Sequence, residues 1–522
     1  MKKSIGILVL LLIFGQVISA QQKKITLEDI WGGSFSAERL EVLRSMKDGQ
    51  HYTILNIDRV AEISCIDKYE YKTQEKVATL LKSDAANGIP FFTSYSFSAD
   101  ESRVLLATEV EPIYRRSRLG IYFVYDLENN KLLPISDTKI QEPRLSPKGD
   151  QVGYVYQNNL YVLDLASGSR KQITSDGTPN AIINGVTDWV YEEEFGFVRA
   201  FDWNSTGDKI AFLRFDEREV PEFSMDVYGK GLYPQPHEFK YPKAGEANAE
   251  VKLYIYDLAA GTAREVSLGN PHYIPRMQWM NHPDHLSVQT LNRHQDKLVL
   301  HQVAASTLQV TPLLEETDAA YVDVTDDLTF LPDDRFIWTS EKDGYNHIYL
   351  YDPERGREQQ LTSGPWEVTS YYGYDEKRGR VFYQSTEQGS INRDVYSISD
   401  KGKGKRRLSS GNGTNRAAFS SDFTYFINTF SNVETPPVFT LHKASDGALV
   451  KELKHNRELL SRVQGYEMAP KEFSTLPING NDLNMWMIKP ADFDPSKKYP
   501  LLMFQYSGPG SQQVANRWHG AN

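Results

Sequence analysis

Short, mostly apolar runs recur along the whole chain, and polar turn-forming residues separate them. Residues 209–214, KIAFLR, and residues 347–351, HIYLY, are typical. Such runs are rich in β-branched and aromatic side chains and are too short for helices, so they predict β-strands. The pattern predicts a protein built almost entirely of strands.

These strands are grouped in a repeat. A turn signal of polar, Pro or Gly residues precedes a β-rich run at Asp48, Ser98, Pro147, Ser205, His282, Pro332, Asp375 and Ser421. A second marker closes a strand at Asp126, Asp164, Asp257 and Asp352. Four-stranded units of about 40 to 50 residues are typical of β-propellers. We therefore predict an all-β fold, an eight-bladed β-propeller over residues 45–465, with non-strand insertions at residues 183–197 and 220–243.

Both ends of the chain differ from the repeat. Residues 1–20 have the Lys pair, the apolar core and the small residues of a secretory signal, which predicts cleavage after Ala20 and export to a periplasm or the medium. Residues 21–44 are expected to form a separate N-terminal segment. Residues 466–522 contain strand-like stretches at 472–490 and 499–506, which predict the start of another domain.

Composition narrows the classes of function. The 522 residues include 58 Lys and Arg against 69 Asp and Glu, a net charge of −11, which argues against nucleic acid and anionic lipid as partners. The basic run at residues 401–407 is expected to be a solvated hairpin loop. No stretch after the signal reaches about 20 apolar residues, so no membrane anchor is expected in the mature chain. Cys65, the single cysteine, has no partner for an intrachain disulfide and is expected to be buried and inert.

We expect no metal and no other cofactor. His282 and His285, with His294 and His301 nearby, lack any zinc-binding spacing. The turn at residues 411–416 has too few glycines for a phosphate-binding loop and no strand-to-helix context.

Three short segments have residues suited to chemistry. Residues 188–195, DWVYEEEF, set three glutamates among aromatics, and two of these carboxylates can converge on one point only around a cation. Because an exposed acidic turn has no need of large apolar neighbours, the aromatics favour a binding segment. Residues 114–117, YRRS, precede a strand, and residues 505–510, QYSGPG, end one in a turn that can present a hydroxyl to an oxyanion.

In their order and context, these three segments resemble the dipeptidyl peptidase IV group of the prolyl oligopeptidase family of serine peptidases. The likeness covers essentially the whole mature chain. It implies that Glu193 and Glu194 hold the free α-ammonium of a peptide, that Arg115 contacts the carbonyl of its penultimate residue, and that Tyr506 donates its hydroxyl to the oxyanion. Position 116 is Arg where the family has His, which keeps Arg116 open beside Arg115. The implied activity is removal of Xaa-Pro or Xaa-Ala dipeptides from peptide N-termini.

The resemblance also implies a Ser, Asp and His triad with the Ser in Gly-x-Ser-x-Gly, and this motif does not occur in the 522 residues. We therefore expect residues 466–522 to be the first strands of an incomplete α/β-hydrolase domain and this chain to be inactive alone. The expected partners are peptides with a free N-terminus, and a homodimer only in a full-length form. The alternative is a catalytically inactive propeller that binds peptides or a protein partner.

Overall fold

The computed structural model describes residues 22–506, 508 and 510–520, so the predicted signal peptide lies outside the described residues. Within them the chain is an eight-bladed β-propeller, as predicted, with few helices. Each blade is an antiparallel sheet whose strands follow one another along the chain. No helix of the described part is long and apolar enough to cross a membrane.

The first four blades run from residue 43 to residue 266. Blade 1 contains β1 Leu43–Ser45, β2 His51–Asp58, β3 Ile63–Glu70 and β4 Lys76–Lys82. Blade 2 contains β5 Ser94–Phe97, β6 Arg103–Pro112, β7 Arg118–Asp126 and β8 Lys131–Pro134. Blade 3 contains β9 Gln141–Leu145, β10 Gln151–Tyr156, β11 Asn159–Asp164 and β12 Arg170–Gln172. Blade 4 contains β13 Ile182–Asn184, β14 Phe201–Trp203, β15 Lys209–Asp216, β18 Glu250–Asp257 and β19 Thr262–Val266.

The other four blades are regular. Blade 5 contains β20 Tyr273–Trp279, β21 His285–Leu291, β22 Lys297–Ala304 and β23 Val310–Thr317. Blade 6 contains β24 Thr329–Phe330, β25 Phe336–Ser340, β26 His347–Asp352 and β27 Arg357–Gln360. Blade 7 contains β28 Val368–Asp375, β29 Arg380–Ser385, β30 Asp394–Ser399 and β31 Arg406–Arg407. Blade 8 contains β32 Thr414–Phe419, β33 Tyr425–Ser431, β34 Val438–Lys443 and β35 Leu449–His455.

The turn signals of the sequence mark the same place in every blade. Seven of the eight lie at the connection between the first and the second strand of their blade, and Ser205 of blade 4 lies between β14 and β15. In three of these turns Gly49, Gly149 and Gly207 have φ of 67°, 72° and 71°, a left-handed conformation that costs glycine little. Local turn chemistry therefore sets the period of the propeller.

The apolar core lies between blades. Separate clusters of buried side chains join blade 1 to blade 2, blade 2 to blade 3, and so on round the ring. The last cluster joins blade 8 to blade 1 through Tyr52, Tyr71, Ile427 and Leu441. No strand is exchanged between these two blades in the described chain. Contacts of side chains close the ring between the blades, and a backbone bridge between Lys23 and Tyr466 joins the segments that flank them.

Three local predictions need correction. The insertion at residues 220–243 is not irregular, because it forms a hairpin of β16 Glu222–Val227 and β17 Gln235–Lys240. Cys65 is only partly buried in β3, since the adjoining Ser64 takes the core-facing position. The basic run is exposed as expected, but its last two residues, Arg406 and Arg407, form β31.

The segment before blade 1 is fastened to the chain that follows blade 8. Helix α1, Leu27–Trp31, starts with a capping box between Thr26 and Asp29. The Asp29 carboxylate also accepts hydrogen bonds from Lys23, at 2.8 Å, and from the Tyr466 hydroxyl, at 2.8 Å. Tyr466 follows α3, Arg457–Gln464. These hydrogen bonds therefore join the segment that precedes the propeller in the chain to the segment that follows it.

Beyond α3, only part of the predicted strand content is found. β36 Lys471–Ile478 and β37 Asn481–Ile488 pair as a hairpin. The prediction of a strand at residues 499–506 is wrong for the described residues, where this stretch pairs with no other strand. Leu501, Leu502, Met503 and Phe504 are consequently 69 to 94% exposed.

Candidate functional site

The acidic segment interrupts the first strand of blade 4. β13 and β14 both pair with β15, one with each half of it. The chain between them leaves the sheet and forms α2, Trp189–Glu193. Asp188 caps this helix by accepting the Tyr191 N–H at 3.0 Å. A short insertion in an otherwise regular blade thus presents the three glutamates.

Aromatic packing holds this five-residue helix in place. Tyr191 is 1% exposed and its ring lies 4.9 Å from the rings of Phe195 and Phe215. The Tyr191 hydroxyl accepts the Ile274 N–H of blade 5 at 3.0 Å. Trp189 packs on Tyr241 beyond β17, with ring centroids 4.3 Å apart. The aromatic residues noticed in the sequence are therefore the anchors of the acidic segment.

The three glutamates point in different directions. Glu192 is 1% exposed, whereas the Glu193 side chain is 16% exposed and Glu194, which follows the helix, is exposed. Adjacent residues of a helix diverge by about 100°, which accounts for this separation. Only Glu193 and Glu194 are open to a ligand.

The segment at residues 114–117 lies against α2. The loop between β6 and β7 brings Arg115 Nε to 2.7 Å from Glu193 Oε2, and the Arg115 side chain remains 72% exposed. Arg116 turns the other way, with its Nε donating to the Glu192 carbonyl at 3.1 Å. This geometry favours Arg115 over Arg116 as the arginine that faces a ligand.

Glu194 borders a cavity of about 290 Å³. Its wall combines aromatic and charged side chains, among them Phe195, Tyr273, Arg276, Tyr321 and Asp323. Arg276 is engaged in an ion pair with Asp326, and the Tyr321 hydroxyl donates to Asp323 at 3.3 Å. The cavity therefore offers space for a side chain next to the exposed carboxylate of Glu194.

Two buried carboxyl groups lie behind α2, at a second cavity of about 170 Å³. Burial raises the pKa of Asp188 to about 6. Burial and then the nearby Asp188 raise the pKa of Glu217 to about 7, while Lys240 opposes this shift. Sequence reasoning missed Glu217, because a glutamate in the run of residues 216–219 gives no sign that it is buried.

Tyr506, the third predicted element, is not brought into the arrangement. Its side chain is 66% exposed. Among the described residues no hydrogen bond, ion pair or ring contact joins Tyr506 to Arg115, Glu193 or Glu194. The neighbouring Ser507 and Pro509 lie outside the described residues. The structure thus brings Arg115 and Glu193 together, beside Glu194, and leaves Tyr506 apart.

No metal centre is formed by the side chains of residues 22–506, 508 and 510–520, where no group of three or more His, Cys, Asp or Glu is arranged to hold an ion. The rings of His282 and His285 lie against each other at a tilt of 34°, with centroids 4.4 Å apart, in the first turn of blade 5.

The sequence of this chain is similar to that of known proteins. The profile of the family "Dipeptidyl peptidase IV (DPP IV) N-terminal region" matches residues 98–437. A protein of Pyrenophora teres f. teres named "Probable dipeptidyl-aminopeptidase B" is 30% identical over 95% of this chain and 60% of its own length. One of Arthroderma benhamiae named "Probable dipeptidyl peptidase 4" is 31% identical over 83% of this chain and 58% of its own length. The chain therefore spans little more than half the length of these curated relatives.

The fold of this chain is also similar to a solved structure from this group of proteins. The dipeptidyl peptidase 4 of Porphyromonas gingivalis superposes with a TM-score of 0.89 and 39% identity, over 95% of this chain and 71% of that one. The family match runs from the turn after β5 in blade 2 to the end of the loop after β33 in blade 8, and it includes the loop of Arg115 and the segment of α2. The chain belongs to the family of the dipeptidyl peptidase IV N-terminal region.

Proposed function

We propose that this chain is the peptide-binding propeller of an exported serine-type dipeptidyl peptidase, which releases Xaa-Pro or Xaa-Ala dipeptides. The observation that carries the proposal is the contact of Arg115 with Glu193 beside the accessible Glu194. The names of the relatives support the class of activity. Export is supported only by the sequence of residues 1–20, and we expect a periplasmic or secreted protein.

The geometry supports a charge-based anchor for the peptide N-terminus. One carboxylate oxygen of Glu193 accepts from Arg115, and its second oxygen is free to accept from an ammonium. Glu194 supplies a second carboxylate on the adjoining residue. An ammonium donates in three directions and binds strongly to carboxylates in a recessed site, where water screens less. A peptide with an acetylated terminus has no such charge.

Arg115 is suited to the next group of the same peptide. Its side chain is 72% exposed and its Nε is fixed by Glu193, so its remaining N–H groups can donate to a carbonyl oxygen close to the ammonium. The carboxylates and Arg115 would fix the ammonium and the next carbonyl of the peptide at a set distance from each other. An enzyme that removes dipeptides needs such a fixed distance from the N-terminus to the bond that it cleaves. Tyr506 would donate its hydroxyl to the oxyanion once it stands beside a catalytic Ser, His and Asp.

Calorimetric titration of this chain tests the binding step directly. We expect an Ala-Pro-Ala peptide with a free amine to bind, and its N-acetylated form to bind at least tenfold more weakly, because charged hydrogen bonds contribute about 1.5 to 3 kcal/mol each. Glu193→Gln and Glu194→Gln should each weaken binding of the free peptide at least tenfold. Glu128→Gln, in an exposed turn after β7, is the matched control and should change nothing.

Equal heats for the two peptides would remove the ammonium site and with it the proposal. Binding of the free peptide without any turnover in a protein that carries the complete triad would instead favour the alternative, a propeller that binds peptides but does not cleave them. Turnover that falls with Glu193→Gln and Glu194→Gln supports the peptidase.

A further inference from the structure

Glu192, which is buried, connects the two halves of the candidate site. Its Oε1 accepts the backbone N–H of Arg116 at 2.6 Å and that of Ser117 at 2.8 Å. Its own carbonyl accepts Arg116 Nε at 3.1 Å. These three hydrogen bonds join the loop of residues 113–117 to α2, and with 1% exposure Glu192 is shielded from water.

Strand pairing does not fix the relative position of these two segments. The loop belongs to blade 2 and α2 to blade 4, and blade 3 stands between them in the chain and in the order of sheets. The loop is closed on itself, because Ile113 N donates to the Ser117 carbonyl at 2.9 Å and Tyr114 N to Ser117 Oγ at 3.2 Å. A compact loop held at Arg116 and Ser117 moves as one body, and Arg115 moves with it.

We propose that Glu192 is a positioning residue that sets the distance between the Arg115 guanidinium and Glu193. The inference rests on the proposed function, since that distance matters only if Arg115 and Glu193 hold neighbouring groups of one peptide. Glu192 contacts no substrate and acts through the loop. A carboxylate is suited to the task because a single oxygen can accept two backbone N–H groups at short distance.

The length of the side chain distinguishes its substitutes. Gln keeps an acceptor oxygen at the same reach, so Glu192→Gln should retain the loop position. Asp keeps the charge but is shorter by one methylene, about 1.5 Å, and the two N–H groups then lie beyond hydrogen-bond distance. Glu192→Ala removes the acceptor altogether. If Gln retains the loop position and Asp and Ala lose it, the length of the side chain, and not its charge, holds the loop.

The first arm of the test needs no ligand. Amide hydrogen exchange at Arg116 and Ser117 is measured in the 522-residue chain and in the three variants. We expect protection to fall at least tenfold in Glu192→Asp and Glu192→Ala and to stay within threefold of the original in Glu192→Gln. The amide of Gly149, bonded to the Ser146 carbonyl in blade 3, is the internal control. Unchanged protection in both shortened variants would overturn the proposal.

The second arm uses peptide binding. Titrations with Ala-Pro-Ala form a double-mutant cycle of Glu192→Ala and Arg115→Ala, and Glu192→Asp replaces Glu192→Ala if that variant does not fold. Arg115→Ala should weaken binding at least tenfold in the original chain and less than twofold once Glu192 is replaced. A purely structural Glu192 would leave the effect of Arg115→Ala the same in both backgrounds, which would refute a positioning role.

The two proposals fail in different ways. If the original chain does not distinguish free from acetylated peptide, the proposed function fails, while the exchange arm still decides whether Glu192 holds the loop. If the original chain distinguishes them and the cycle shows no coupling, the peptide site stands and the inference about Glu192 is wrong.

Discussion

Replacing the buried Glu217 by Gln should stabilise the protein, but only at pH values at which the Glu217 carboxyl is ionised. Glu217 is 5% exposed, and burial together with Asp188 raises its pKa from an ordinary 4.5 to about 7. A carboxyl with a raised pKa stays protonated to a higher pH in the folded state than in the unfolded state. The folded protein therefore binds more protons between pH 4.5 and 7, and its stability falls as the pH rises through this window.

The size of the effect follows from the pKa. A change of one in pKa corresponds to about 1.4 kcal/mol, so an ionised Glu217 costs the folded state up to about 3 kcal/mol above pH 7. Asp188, Lys240 and Asp216 are the charged groups that act on Glu217, and Gln leaves all three in place. At an unfolding entropy of about 2 cal/mol/K per residue, 3 kcal/mol in a chain of this size is a rise of about 3 °C in Tm.

Scanning calorimetry of Glu217→Gln and the original chain from pH 4.5 to 8.5 measures this difference. We expect equal Tm values at the acidic end and a gap that opens between pH 5 and 7 in favour of the variant. Glu219→Gln, exposed two residues away, is the matched control and should show no such gap. A Tm difference that is constant with pH, or one that favours the original chain at pH 8, would refute the reasoning.

Three further outcomes are expected. Tyr191→Phe removes the hydroxyl that accepts the buried Ile274 N–H and should lower the free energy of unfolding by about 1 to 3 kcal/mol, seen in urea titrations; an unchanged midpoint would contradict the contact. The hydrogen bond from Lys23 lowers the pKa of Asp29, so this contact stabilises the N-terminal segment above the ordinary pKa of Asp and weakens as the pH falls below that value. Asp29→Asn should therefore speed trypsin cleavage at residues 23–24 at neutral pH. Equal cleavage rates would count against the contact. Chymotrypsin should cut first within residues 501–504, which are exposed and unpaired, and mass spectrometry showing first cuts inside the blades would disprove this.

The propeller could be predicted because its period depends on local chemistry. A turn such as that at Gly49 needs a left-handed residue wherever it occurs, so the signal is readable without tertiary contacts. The hairpin of β16 and β17 escaped notice because its strands are largely exposed and therefore lack the alternation that burial imposes. Residues 499–506 have the composition of a strand, but a strand also needs a partner, which composition does not supply.

Composition and spacing drew attention to the segments of the candidate site, but they did not distinguish the residues within each segment. The sequence of three adjacent glutamates gives each the same local signal, and only the direction of α2 separates the buried Glu192 from the accessible Glu193 and Glu194. The choice between Arg115 and Arg116 depends in the same way on which side of a closed loop each occupies. Such distinctions arise from contacts between segments more than seventy residues apart.

The closure of the ring without a strand shared by blades 1 and 8 has a consequence for how the protein is made. Ser421 Oγ donates to the Met46 carbonyl at 2.6 Å, and at about 5 to 20 residues per second the ribosome needs roughly 20 to 75 s to pass from one to the other. Throughout that time the face of blade 1 that carries Tyr52 and Tyr71 has no neighbour. The ring can therefore close only after blade 8 has been made. A nascent chain released within blade 8 would leave the apolar faces of blades 1 and 7 without their neighbour.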